Sequence, residues 1–175
     1  MKALVCLATA AFLLLGPLAQ AATFSDPDDM TSPIDVRKVA YRDKGKQIAA
    51  IRVGTDDNWT CSYFEPGLTD MWWLFDGKGD GDIDLVGKVR CLKFKGGREL
   101  VLFLSGRDSG NSYEPVPLKR PNRHSMKATF SFDLPELKGA HVDMSVKVSD
   151  GVAEGCTSAH PCTERAPDTG MYRLY

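Results

Sequence analysis

Beyond its first twenty-one residues the chain lacks any stretch with a convincing helical period, which excludes helical bundles and alternating strand–helix architectures. It also lacks a later apolar run long enough to cross a membrane as a helix. No excess of basic residues exists: the formal net charge is −1, so composition gives no reason to expect nucleic acid or anionic lipid as a partner. No internal repeat is visible, which removes propellers and solenoids. The G-x-S-x-G elbow of the α/β-hydrolases is missing too.

What is present begins with MKALVCLATAAFLLLGPLAQA. Lys2 supplies a positive start, an apolar run follows to Leu15, Gly16-Pro17 breaks it, and Ala19-Gln20-Ala21 has the small-x-small form of a cleavage site. Residues 1–21 therefore read as an export signal cut near Ala21, leaving a secreted, extracellular chain. Residues 22–33 read as a flexible N-terminal lead-in, and residues 34–175 as a single domain.

Cys6 leaves with the signal, so four cysteines remain, Cys61, Cys91, Cys156 and Cys162. An even count in an exported chain favours two disulfides out of three connectivities. The expected pairs are Cys61–Cys91 and Cys156–Cys162, worth about 3.6 and about 2.4 kcal/mol on the loop-entropy account.

Short β-prone segments recur along the domain: IDVRKVAYRD, QIAAIRVG, NWTCSYFE (58–65), MWWLF (71–75), IDLVGKVRCLKFK (83–95), RELVLFLSG (98–106), MKATFSFDL (126–134) and HVDMSVKVSDG (141–151). Apolar residues alternate with polar ones in the last two, as in strands with one buried face. About eight strands at regular spacing predict an all-β fold, an antiparallel, jelly-roll-like β-sandwich. Residues 107–123 read as a loop with three prolines.

The segment DGKGDGDID (76–84) is the one place where a specific chemistry suggests itself. Calcium takes six to eight hard oxygen ligands, and Asp76, Asp80, Asp82 and Asp84 could supply several from one Gly-rich loop. Two features oppose that reading. Lys78 stands where another acidic ligand would be expected and can balance the charge without metal. Gly87 stands where an EF-hand needs its bidentate glutamate. The competing reading is an acidic hairpin tip.

FDGKGDGDIDLVG resembles the Asp/Gly-rich loops of calcium-binding β modules. Together with SPIDVRKV (32–39) and KRPNRHSMKATFSF (119–132), it resembles secreted bacterial β-sandwich domains of the carbohydrate-binding and DOMON-like type. That resemblance implies a two-sheet sandwich with a binding or accessory role, and it carries over no catalytic residue.

Trp72 and Trp73 are adjacent, so on a strand one enters the core and the other faces outward, where it could serve as a flat platform for a sugar. Trp59 is expected to pack on the first disulfide. Ser109 and His160 stand in fragments that look like pieces of a serine protease, but in the wrong chain order for the chymotrypsin arrangement. Cys156, His160 and Cys162 lack a fourth zinc ligand nearby.

The leading functional expectation is a non-catalytic secreted protein that binds an extracellular protein or carbohydrate, with calcium as the one cofactor to consider. The alternatives are a protease inhibitor presenting loop 107–123, and a hydrolase whose best acidic residues would be Asp80, Asp82 and Asp84.

Overall fold

The computed structural model describes residues 21–30, 32–44, 48–131, 133–137 and 142–174. The expected export signal, apart from Ala21, lies outside the described residues, as does His141. Two antiparallel sheets form an all-β sandwich, with twelve strands among the described residues and two disulfides. The first sheet contains β1 (Ala21–Ser25), β2 (Val36–Asp43), β3 (Ile48–Thr55), β8 (Lys119–Asn122) and β9 (Ser125–Ser131), in the order β1-β2-β3-β9-β8. The second contains β4 (Thr69–Asp76), β5 (Leu85–Phe94), β6 (Gly97–Gly106), β7 (Val116–Pro117), β10 (Asp143–Asp150), β11 (Cys162–Ala166) and β12 (Tyr172–Arg173). Its order is β11-β10-β4-β5-β6-β7, with β12 also paired to β10.

Strict alternation builds the core. Along β4, Met71, Trp73 and Phe75 are fully buried, while Trp72 and Leu74 on the other face are half-buried. From the opposing sheet come Val39, Ile51, Val53, Met126, Ala128 and Phe130. Phe75 and Phe130 meet edge to face across the interior, with ring centroids 5.8 Å apart. Gly87 on β5 lies opposite Leu104, and a Cβ there would stand 2.9 Å from Leu102 Cδ1. The position is a packed core site with no room for a ligating glutamate.

Seven of the expected strands are present, and the eighth is not. Residues 58–65 carry a 3-10 turn at Cys61–Phe64, closed by Tyr63 N–H to Thr60 O (3.0 Å) and Glu65 N–H to Ser62 O (3.2 Å). The reason is parity. Trp59 and Phe64 are five residues apart, so a strand would send them to opposite faces, whereas the turn buries both. Trp59 meets Phe64 edge-on at 5.1 Å and lies under the Arg120 guanidinium at 4.2 Å.

The lead-in is not loose either. Its first residues form β1, which pairs with β2 in the register Thr23↔Ala40. Phe24 stacks on Tyr172 at 4.7 Å, an anchor that a five-residue strand does not announce in its own pattern. The 107–123 segment contains two short strands, β7 and β8, each at the end of its sheet. Pro117 and Pro121 sit in them, as proline does on edge strands.

The disulfides Cys61–Cys91 and Cys156–Cys162 both form as expected. The first ties the 3-10 turn, rather than a strand, to β5.

Candidate functional site

The acidic loop is organised by its own backbone. Asp76 and Asp84 are buried at the ends of β4 and β5, and Asp80 and Asp82 are exposed at the tip. The Asp76 carboxylate accepts backbone N–H bonds from Lys78 (2.9 Å), Gly79 (2.6 Å) and Gly81 (2.6 Å). Burial opposes its ionisation, but these donors outweigh that effect and hold its pKa below the ordinary value. Asp84 accepts Gly77 N–H at 2.9 Å and pairs with the Lys78 ammonium. That partner raises the Lys78 pKa. Asp80 accepts Asp82 N–H at 3.0 Å. The four aspartates thus divide: two shape the loop from inside, and two face solvent.

The two tryptophans point opposite ways. Trp73 is fully buried. Trp72 lies on the outer face between the ammonium groups of Lys88 and Lys147, at 5.2 and 5.8 Å from its ring. Both lysines are its direct cross-strand neighbours. Lysine therefore shares the faces of this ring that a sugar would need.

A cleft of about 360 Å³ opens on the outer face of the first sheet. Its floor is made by small residues in neighbouring strands: Ala40 lies across from Arg52, and Gly54 lies between Lys38 and Ser125. Its rim is cationic. Arg37, Lys38 and Arg52 line it beside His124, and no acidic side chain among the described residues does. Arg52 Nε donates to Ser125 Oγ at 3.2 Å, which sets the guanidinium over the floor. Arg37 reaches outward to Asp28 at 3.4 Å and Asp56 at 3.9 Å.

A second concentration of charge lies where the β1–β2 connection meets β11. Glu164, on β11, accepts Val36 N–H through Oε1 (2.9 Å) and Oε2 (3.1 Å), tying the start of β2 to the edge strand of the second sheet. Asp35 Oδ2 accepts N–H from Met30 (3.1 Å) and Asp29 (3.2 Å). Tyr172 donates its hydroxyl to Asp26 Oδ1 at 3.0 Å. Burial raises the pKa of Glu164 to about 8 and that of Asp35 to about 6, and neighbouring aspartates add to both shifts.

Ligand atoms of Asp26, Asp29 and Asp168 lie within 4.8 Å of one another, and so do those of Asp29, Asp35 and Glu164. These two groups, and not the 76–84 loop, are where three ligating side chains converge among the described residues. Sequence reasoning had only a local hint of them, the aspartates of SDPDD with Asp35. Glu164 and Asp168 stand far along the chain, and the β10–β11 pairing brings them there.

Comparison with family models, curated proteins and solved structures finds no match to the chain.

Proposed function

We propose that this is an exported, non-catalytic binding protein, whose ligand-facing surface is the cationic cleft on the first sheet and whose ligand is an anionic carbohydrate. One observation carries the reading: a hollow floored by Ala40, Gly54 and Ser125 is rimmed by Lys38 and Arg52 and lined by no carboxylate among the described residues. Small residues on a sheet face leave space for a chain lying flat, and fixed guanidinium and ammonium groups select carboxylate, sulfate or phosphate substituents. The resemblance to carbohydrate-binding sandwiches supports a sugar as the carrier of that charge. Two disulfides support export, since such bonds persist outside the reducing cytosol. No helix among the described residues is long and apolar enough to cross a membrane.

The test is affinity electrophoresis and calorimetry against polygalacturonate, a sulfated glycan and a neutral glucan. The protein should bind an anionic polymer, weaken as salt rises, and ignore the glucan. Lys38→Glu with Arg52→Glu should lower the affinity by about tenfold or more, roughly 1.4 kcal/mol. Equal retention by the neutral polymer, or unchanged affinity in the charge-reversed variant, would sink the reading.

A further inference from the structure

The convergence of carboxylates beside β11 is more than an accumulation of surface charge. Asp35 is completely buried, and its Oδ1 has no hydrogen-bond partner among the described residues. Asp26 is 7% exposed, and its Oδ2 has none either. Each of these side chains is anchored through one oxygen, to backbone N–H groups or to Tyr172, while the second is left unbonded. A buried, unpartnered carboxylate oxygen is costly unless something positive or acidic meets it.

Two ligand triads share Asp29, so five carboxylates, from Asp26, Asp29, Asp35, Glu164 and Asp168, face a common region. Arg37, whose charge also acts on Asp26, pairs with Asp28 and Asp56. Burial raises the pKa of Asp26, Asp29, Asp35 and Glu164, and the charges of neighbouring carboxylates add to each shift.

The donor set is all oxygen, with no imidazole or thiolate. Hard oxygen ligands in that number, drawn from connecting segments as well as a strand, suit calcium better than zinc or copper. We propose that Asp26, Asp29, Asp35, Glu164 and Asp168 form a calcium site that clamps the β1–β2 connection onto β11. The ion joins the β1–β2 connection of the first sheet to the edge strand of the second at the point where Glu164 already bridges to Val36. The site is separate from the cationic cleft, and its role is to hold the sandwich edge closed.

The full-length protein, stripped with chelator, should gain about 3 °C in melting temperature when calcium is restored at about ten times a millimolar-range Kd. Calorimetry should show calcium binding directly. Asp29→Asn removes the ligand shared by both triads at an exposed position, so it should fold yet lose the calcium-dependent rise. Glu164→Gln should lose it as well. Asp80→Asn with Asp82→Asn, at the tip of the other acidic loop, should keep the whole rise. The proposal is overturned if calcium neither binds nor shifts melting in the unaltered protein. It is also overturned if the rise survives Asp29→Asn or disappears in the Asp80/Asp82 variant.

Discussion

The backbone carbonyl oxygen of Glu136 lies 1.9 Å from where a Cβ on Gly77 would stand. The 3-10 turn Pro135–Leu137 is thus seated directly on the first residue after β4, and only glycine permits that approach. Glu136 then fastens the start of the 107–123 segment. It accepts hydrogen bonds from Ser109 Oγ (2.7 Å), Asn111 Nδ2 (3.2 Å) and the Tyr113 hydroxyl. The acidic hairpin, the turn and the long connection form one unit at this end of the sandwich.

Gly77→Ala should therefore cost about 3 kcal/mol or more, because the obstacle is backbone and has no rotamer to yield. Gly79→Ala should cost only about 1 kcal/mol: its φ of +73° is strained for alanine, but nothing lies within 4 Å of the new methyl. Urea unfolding of the two variants checks the ranking. Equal losses would mean that the turn does not dock as described.

The Glu136 latch predicts a dependence on pH. Burial pushes its pKa up, but the hydrogen bonds from Ser109 and Tyr113 outweigh that and leave it below the ordinary 4.5. A carboxylate with a depressed folded pKa contributes stability above its unfolded value and loses that contribution as pH falls through the folded one. Melting temperature should thus decline below about pH 4.5, and Glu136→Gln should flatten part of that decline. A variant with the same acid profile as the unaltered protein would show that the latch carries no linkage.

The two disulfides should differ in worth. Cys61 and Cys91 are 30 residues apart, Cys156 and Cys162 only 6. Replacing the first pair with alanine should cost about 3.6 kcal/mol and the second about 2.4 kcal/mol, since the longer loop restricts the unfolded chain more. Denaturant midpoints of the paired variants measure the difference, and a reversed order would point to folded-state effects.

The adjacent tryptophans give the largest contrast. Trp73→Ala removes a fully buried indole from the core and should cost about 3–5 kcal/mol. Trp72→Ala removes a half-buried ring held between two lysines and should cost about 1 kcal/mol. Unfolding free energies of the two variants test this directly.

Much of this was legible residue by residue. Alternation put Trp72 and Trp73 on opposite faces and Val146 and Val148 on one face, because a strand turns successive side chains to opposite faces whatever it packs against; the packing made Trp73 the inward one. Lys78 was recognisable as an internal counter-charge because its partner, Asp84, is only six residues away. Strands of two to five residues were not legible, since β7, β12 and even β1 are too short to show a period.

By itself the sequence determined the seven longer strands, the cysteine pairs and the opposed tryptophans, because local spacing and backbone geometry decide such features. Only the tertiary structure decided that Asp26 and Glu164 belong together and that Lys38 and Arg52 rim one hollow. Those groupings depend on which edges and strands pair, and pairing between distant segments follows from burying the whole core at once.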